Sequence, residues 1–158
     1  MELVDLYKWV HVIGACVLLG TGAGIAFFML MAHLTRDAKI IAHTASVVVF
    51  ADWLFTASAV VLQPITGVLL AREIGWSLSE GWLVISIGLY IFTGAFWLPV
   101  VWIQLQLRDL ARQADAQQTA LPPRYFKLFG IWFACGIPAF VAVLAILWLM
   151  LVKPSLSF

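Results

Sequence analysis

The sequence is poor in charged residues: nine Lys and Arg and eight Asp and Glu make up only 11% of its 158 residues. A soluble domain carries about 25% charged residues, so this chain lacks the polar surface that would face water on all sides. The net charge of +1, without a basic patch or stripe, argues against a nucleic-acid partner. The scarcity of charge therefore indicates a lipid environment.

Several catalytic and redox motifs are also missing. The sequence contains no Walker loop, no GxSxG elbow, no HExxH motif and no Cys-x-x-Cys pair, so no machinery for hydrolysis or phosphoryl transfer is visible. The two cysteines, Cys16 and Cys135, fall inside apolar segments. We predict that they lie in opposite halves of the membrane as buried thiols and do not form a disulfide.

What is present instead is a set of four long apolar runs separated by three short polar connections. The runs cover roughly residues 6–32, 44–71, 81–107 and 125–152. A helix of about 20 apolar residues spans the ~30 Å hydrocarbon core of a bilayer, and a spanning backbone must satisfy its own hydrogen bonds. We therefore predict a single all-α domain over residues 1–158, an integral membrane bundle of four transmembrane helices.

The start of two runs carries local signals. Glu2 and Asp5 precede the first run where a secretory signal would have a basic segment, so we interpret that run as a membrane helix and not as a cleaved leader. Ser77 and Glu80 have the spacing of a capping box before the third run. We predict that Ser77 caps the third helix.

The other ends are marked by proline and by charge. Pro122 and Pro123 precede the fourth run, where proline is tolerated because the first N–H groups of a helix lack partners, and Pro154 follows its end. Residues 108–121 are polar, and we predict a solvated extension of the third helix there. Three prolines interrupt the predicted helices and free a carbonyl one turn earlier: Pro64, Pro99 and Pro138.

Basic residues concentrate on two of the three connections. The first and third connections contain Arg36, Lys39, Arg108, Arg112, Arg124 and Lys127. The opposite side contains only Lys8, Arg72 and Lys153. Because connections rich in Lys and Arg stay in the cytoplasm, we predict that both termini lie outside.

Small residues recur on the first helix. Cys16, Gly20 and Gly24 are spaced by four, which places them on one face. Such a ridge lets another helix backbone approach closely. We interpret it first as a packing surface, and as a second possibility as room for a flat ligand.

Polar residues lie along one face of the second run. Asp52, Thr56, Gln63 and Thr66 with Gly67 follow one another at helical spacing, and polar groups in lipid usually face the bundle interior. We predict an inward polar ridge. Asp52 is open to four interpretations: a proton carrier, a cation site, a hydrogen-bond anchor for a ligand or partner helix, or a structural acid.

The three histidines lie near helix ends. His11 and His33 project from similar faces of the first helix but ~33 Å apart, so they cannot share a metal ion. His33 and His43 flank the first connection, where they could approach each other, although we expect both to be solvated. His11 could ligate haem iron; Gln63 and Met150 lie at a similar depth. The alternative is a histidine hydrogen-bonded to Gln63 or a loop.

Three motifs resemble a known family. Lys8-x-x-His11, the segment ADWLFT at 51–56 and the closing Lys153-Pro154 are similar to domain-of-unknown-function family 2269, predicted bacterial four-helix integral membrane proteins. The similarity covers almost the whole chain. It implies the fold and a location in the bacterial inner membrane, and it carries no assigned activity.

A weaker similarity is to HemJ-type protoporphyrinogen oxidases and CopD-like copper-resistance membrane domains. These also open with Lys-x-x-His on the first helix and carry a second histidine near its far end. The similarity matches His11 and loosely His33, and it implies haem association through His11. The chain has no counterpart of the later lysine motif of HemJ.

Three functions follow as hypotheses. The first is a redox module holding haem b through His11, which exchanges electrons with a quinone or a partner while Asp52 and Thr56 take a proton or bond a propionate. The second is a proton or cation transporter built on the Asp52 ridge, which would need an oligomer. The third is an accessory subunit or scaffold in a larger membrane complex.

Overall fold

The computed structural model describes residues 2–156, which form helices that cross the membrane four times and contain no strand. The helices are α1 (Leu3–Thr35), α2 (Ala38–Ala51), a π-helical segment (Asp52–Thr56), α3 (Ala57–Ile74), α4 (Gly81–Ala116) and α5 (Pro123–Val152). The second span is continuous from Ala38 to Ile74, and all four spans are long and apolar enough to cross a bilayer. The predicted all-α bundle of four transmembrane helices is confirmed.

The helix ends follow local chemistry. α5 begins at Pro123, two residues before the predicted start at 125, and ends before Lys153, which has a left-handed backbone (φ 46°), with Pro154 following. α4 continues to Ala116, which confirms a helical extension for most of residues 108–121. α2 begins six residues before the predicted start, because the Asp37 carboxylate caps it by accepting from the first free N–H groups.

The predicted capping box at the start of α4 is wrong. The N-cap is Glu80 and makes no side-chain cap, because α4 begins at Gly81, too far along for Ser77 to reach its N–H groups. The Ser77 hydroxyl instead accepts from the Ser79 N–H at 3.2 Å in a local turn. Gly81 itself lies against the Leu156 carbonyl, so the chain after α5 packs where a Cβ would be.

The bundle has two unlike halves, named here by what they contain. The basic half holds the α1–α2 and α4–α5 connections, and the terminal half holds both chain ends and the α3–α4 connection. One large apolar cluster fills the basic half: Ile25, Met29, Ala32, Ile41, Ala42, Ala45, Val48, Ile103, Leu107, Ala111, Tyr125, Phe129 and Trp132. A smaller cluster lies in the terminal half: Ala71, Trp82, Leu83 and Leu149.

Pro64 explains how α3 is tied to α4. Because proline has no N–H, the carbonyl of Val60 one turn earlier has no helical partner. The Tyr90 hydroxyl on α4 donates to that carbonyl. The carbonyl that Pro64 leaves free therefore accepts a hydrogen bond that joins α3 to α4. In the terminal half, α3 otherwise lies mainly against α1.

Candidate functional site

The most unusual backbone in the chain surrounds Asp52. Asp52–Thr56 is a π-helix, in which the Ala57 N–H bonds the Asp52 carbonyl five residues back. Asp52 is only 4% exposed and lies inside the second span, about 21 Å along the helix from its start at Ala38. Isolated π-helical turns inside α-helices occur frequently at functional sites.

Three side chains lie beside the Asp52 carboxyl and a fourth, Trp132, bonds one of them; we name the group of five the Asp52 cluster. The Trp97 indole N–H donates to Asp52 Oδ1 at a long 3.4 Å. The Thr56 hydroxyl and the Gln104 amide lie beside the same carboxyl. The Gln104 oxygen accepts from the Trp132 indole N–H at 3.0 Å, which turns the amide nitrogen of Gln104 away from Trp132.

Two polar atoms of the Asp52 cluster lack partners. Within the described residues, neither the Thr56 hydroxyl nor the Gln104 amide nitrogen makes a hydrogen bond of normal geometry, although Gln104 is 2% and Thr56 7% exposed. A buried unsatisfied polar group costs roughly 1–3 kcal/mol. Both groups lie beside the Asp52 carboxyl, so a small shift of either side chain would pair it with a carboxylate oxygen.

The charge and donor pattern of the cluster limits its chemistry. The ion pair that residues 2–156 contain joins Arg108 to Asp109, so Asp52 has no cationic partner there. The groups aimed at its carboxyl are N–H and O–H donors, whereas a metal cation is held by several oxygen acceptors. The arrangement suits a proton or water better than a metal ion.

A second polar group, the His11 group, joins α1 to α3. His11 Nδ1 lies 3.0 Å from the Thr66 hydroxyl oxygen, and that hydroxyl donates to the Leu62 carbonyl at 2.8 Å. Because the hydroxyl proton is used there, the Thr66 oxygen accepts from Nδ1–H, and His11 Nε2 keeps its lone pair. The Gln63 amide donates to the His11 backbone carbonyl at 2.9 Å, not to the ring.

Two glycines make this close approach possible. A Cβ on Gly67 would lie 3.1 Å from His11 Cε1, and one on Gly14 would lie 3.0 Å from Gln63 Nε2. The predicted packing ridge is not used within the chain: Cys16 is exposed, and nothing lies within 4 Å of a Cβ placed on Gly20. The hydrogen bonds of His11 and Gln63 set the rotation of α1, which turns Gly14 toward α3 and the ridge outward.

The predicted polar ridge is buried but divided in two. Asp52, Thr56, Gln63 and Thr66 are all buried, as expected. A π-turn contains an extra residue, which rotates the face that follows it by about 100° relative to the face before it. As a result, the Asp52 carboxyl faces Trp97 on α4, whereas Gln63 and Thr66 face His11 on α1.

The other histidines lie elsewhere. His33 is stacked on Phe129 with ring centroids 3.6 Å apart and lies 3.3 Å from the Tyr125 hydroxyl; its side chain is part-exposed, so it is only partly solvated. His43 is exposed beside a shallow cavity of about 250 Å³ against Phe28. His11, His33 and His43 do not come together, and residues 2–156 contain no group of three metal-ligating side chains.

Neither Met150 nor either of the two shallow cavities provides a further ligand beside His11. Met150 packs against the apolar cluster that contains Trp82 and Leu149. A second shallow cavity, of about 230 Å³, lies at the α4–α5 connection beside Thr119 and Arg124. Neither cavity is lined by His11.

Sequence reasoning missed the α4 and α5 members of the Asp52 cluster. Gln104 carries the same signal as Gln63, a polar side chain inside a long apolar run, and could have been found by it. Trp97 and Trp132 could not have been found from the sequence, because tryptophan is common in membrane helices. Only the group to which each indole N–H donates reveals the role of the side chain.

The comparisons with known proteins agree with the fold. Residues 5–154 match the model of a family described as "Predicted integral membrane protein (DUF2269)". No curated protein and no solved structure matched the chain, and nothing in the comparisons supports the weaker similarity to HemJ and CopD.

Proposed function

The chain belongs to the DUF2269 family of predicted integral membrane proteins, and on that premise we propose that it is a proton carrier whose working group is the Asp52 carboxyl. One observation carries the proposal: a carboxyl buried inside an apolar span, in a π-helical segment, with the N–H and O–H donors of Trp97, Gln104 and Thr56 beside it. An ionisable side chain at this depth is costly and usually functional.

The Asp52 cluster can accommodate both states of the carboxyl. When Asp52 is ionised, the Trp97 N–H, the Gln104 amide and the Thr56 hydroxyl can all donate to it. When a carboxylate oxygen takes up a proton, the new O–H needs an acceptor, and the Thr56 oxygen is the adjacent candidate. Only an O–H bond forms or breaks, so no other reactant is required.

Infrared difference spectroscopy tests proton binding directly. Reconstituted protein is titrated, and the C=O band of a protonated carboxylic acid is followed in H₂O and D₂O. Because all eight Asp and Glu residues contribute carboxylic-acid bands on titration, we expect a band beyond those of the exposed carboxyls that shifts in D₂O in the wild type and in Asp109→Asn, and that is missing from Asp52→Asn. The band's persistence in folded Asp52→Asn would contradict the proposal.

A second candidate, a haem b protein, is favoured by the orientation of His11. The bond from Nδ1 to Thr66 leaves Nε2 free, the pattern of a histidine ready to ligate iron. The fit is limited to this one axial nitrogen, because Gln63 is used on the His11 carbonyl and neither described cavity adjoins His11. Haem, when bound, would supply one-electron chemistry with a quinone or protein partner.

An absorption spectrum of the purified protein, expressed with ample haem, tests this candidate. A haem protein shows a Soret band and a reduced-minus-oxidised α band. Both should disappear in His11→Ala and persist in His33→Ala, because His33 is held in an aromatic stack away from the His11 group. A colourless wild-type preparation excludes the candidate.

Two further features of the proposal concern its surroundings. The charge asymmetry between the connections favours an inner-membrane location with both termini in the periplasm. The outward ridge of Cys16, Gly20 and Gly24 leaves a face open to lipid, to a second copy or to a larger complex. An accessory role through that face stays a prediction, to be checked by co-purification.

A further inference from the structure

Trp132 on α5 makes a hydrogen bond that fixes the orientation of the Gln104 amide. Its indole N–H donates to Gln104 Oε1 at 3.0 Å. An indole N–H can only donate, so the atom of Gln104 that faces it must be the amide oxygen. Gln104 is 2% and Trp132 4% exposed, so bulk water does not compete for either group. The NH₂ group of Gln104 is therefore held on the side away from Trp132, beside the Asp52 carboxyl.

The Trp132 ring is itself held in place by its neighbours. It packs against Phe129 with ring centroids 5.7 Å apart, and Phe129 is stacked on His33. Trp132 and Phe129 both lie in the apolar cluster of the basic half, and α4 contacts α5 more extensively than any other helix. A ring packed on all sides cannot turn its N–H freely. α5 therefore presents this donor to Gln104 in one direction.

Gln104 can act on Asp52 in a way that Trp97 cannot. The two residues lie seven positions apart on one face of α4, and both bring an N–H donor to the carboxyl. The Trp97 indole can only donate. The Gln104 amide has two opposite orientations, one that donates to a carboxylate and one that accepts from a protonated carboxyl. Trp132 selects the first of them.

Charge does not compete with these hydrogen bonds around Asp52. In the second span, Asp52 is the one titratable side chain between residues 44 and 71. The four apolar runs contain these other titratable side chains: Tyr7, Lys8, His11, Cys16, Tyr90, Tyr125, Lys127 and Cys135. Within residues 2–156, none of them hydrogen-bonds Asp52 or acts on it through charge. Neutral donors therefore decide which state of the carboxyl is favoured.

We propose that Trp132 is a positioning residue for Asp52: it holds the Gln104 amide as a donor to the carboxyl and so favours the ionised state, from which the proton has left. The proposal rests on the proposed function and adds its regulation. Because the bond joins α5 to α4, a movement of α5 that breaks it would free the amide to turn and would tighten proton binding at Asp52.

Infrared titration of reconstituted protein tests this role through the carboxylic-acid band that is missing from Asp52→Asn. Trp132→Phe keeps an aromatic ring but removes the N–H, so the Gln104 amide can present its oxygen to the protonated carboxyl. We expect about tenfold tighter proton binding, seen as a rise of about one pH unit in the midpoint of the band. The matched control is Trp102→Phe, at a tryptophan of α4 that is 55% exposed, and it should keep the wild-type midpoint.

A double-mutant cycle separates orientation from packing. Gln104→Met removes the amide from a side chain of similar length, and the midpoint should rise because one donor to the carboxylate is lost. Adding Trp132→Phe to Gln104→Met should then move the midpoint by less than about 0.3 pH unit, since no amide remains to be oriented. An equal shift by Trp132→Phe in both backgrounds, or no shift in the wild-type background, overturns the proposal.

Solid-state NMR of labelled protein in lipid reads the orientation itself, whether or not Asp52 titrates. The Gln104 NH₂ protons should correlate with Asp52 Cγ in the wild type and in Trp102→Phe, and this correlation should be lost in Trp132→Phe. If the correlation behaves so but the infrared band never titrates, the proton carrier fails and the orienting role of Trp132 stands. A correlation that is missing from the wild type, or unchanged in Trp132→Phe, overturns the proposal even if Asp52 binds a proton.

Discussion

Asp52→Asn is expected to slow protein-dependent proton flux into liposomes by about 100-fold, the low end of what a positioned acid–base group contributes. Asparagine has nearly the shape of aspartate and can still accept from the Trp97 indole. Its amide, unlike the Asp52 carboxylate, does not take up a proton at the pH of the flux measurement. The measurement follows a pH-sensitive dye inside proteoliposomes after a potassium diffusion potential is imposed, with empty liposomes as the baseline.

The matched control for this flux measurement is Asp109→Asn. Asp109 is exposed and paired with Arg108 at 2.8 Å, so its loss should leave the flux within about twofold, because exposed pairs contribute little. Thr56→Val should give an intermediate rate, since it removes the hydroxyl oxygen that would accept from the protonated carboxyl. If folded Asp52→Asn carried protons at the wild-type rate, Asp52 would be a structural acid.

The apolar cluster of the basic half determines what kind of flux to expect. Fully buried side chains such as Leu107 and Ala111 lie between Asp52 and the face that carries the basic connections. The structure is therefore not an open channel, and transfer requires a rearrangement that opens that cluster. The π-helical segment is the candidate moving part, because return to an ordinary α-helix would rotate Asp52 relative to Gln63.

The gross architecture could be predicted from sequence because the bilayer imposes it. Apolar runs of more than 20 residues leave a helix as the only way to satisfy the backbone, and Pro122 and Pro154 mark where α5 can begin and end. Helix starts that depend on a single side chain could not be predicted as well. Asp37 extends α2 beyond its apolar stretch, and Ser77 forms a local turn in place of the expected cap.

The arrangement of the site could not be predicted, because it depends on one inserted residue. Helical spacing places Asp52 and Gln63 on one face, but the π-turn between them sends each toward a different helix. No residue type specifies a π-turn. Likewise, the His11 ring pairs with Thr66 and not with Gln63 because of how α1 is rotated. Gly14 and Gly67 allow that rotation, but their presence in the sequence does not predict it.

Leu107→Ala is expected to destabilise the protein by about 2 kcal/mol, whereas Leu98→Ala on the same helix should cost less than about 0.5 kcal/mol. Leu107 has no exposed surface and lies within the basic-half cluster, whereas Leu98 is 65% exposed on the outer surface. Lipid is as apolar as leucine, so the loss at Leu107 comes from the cavity and the lost dispersion contacts, at the low end for such substitutions.

Tryptophan fluorescence during detergent-induced unfolding measures both Leu→Ala variants, since Trp132 reports directly on the cluster that contains Leu107. Equal losses of stability in the two leucine variants would mean that the basic half is not tightly packed around Leu107.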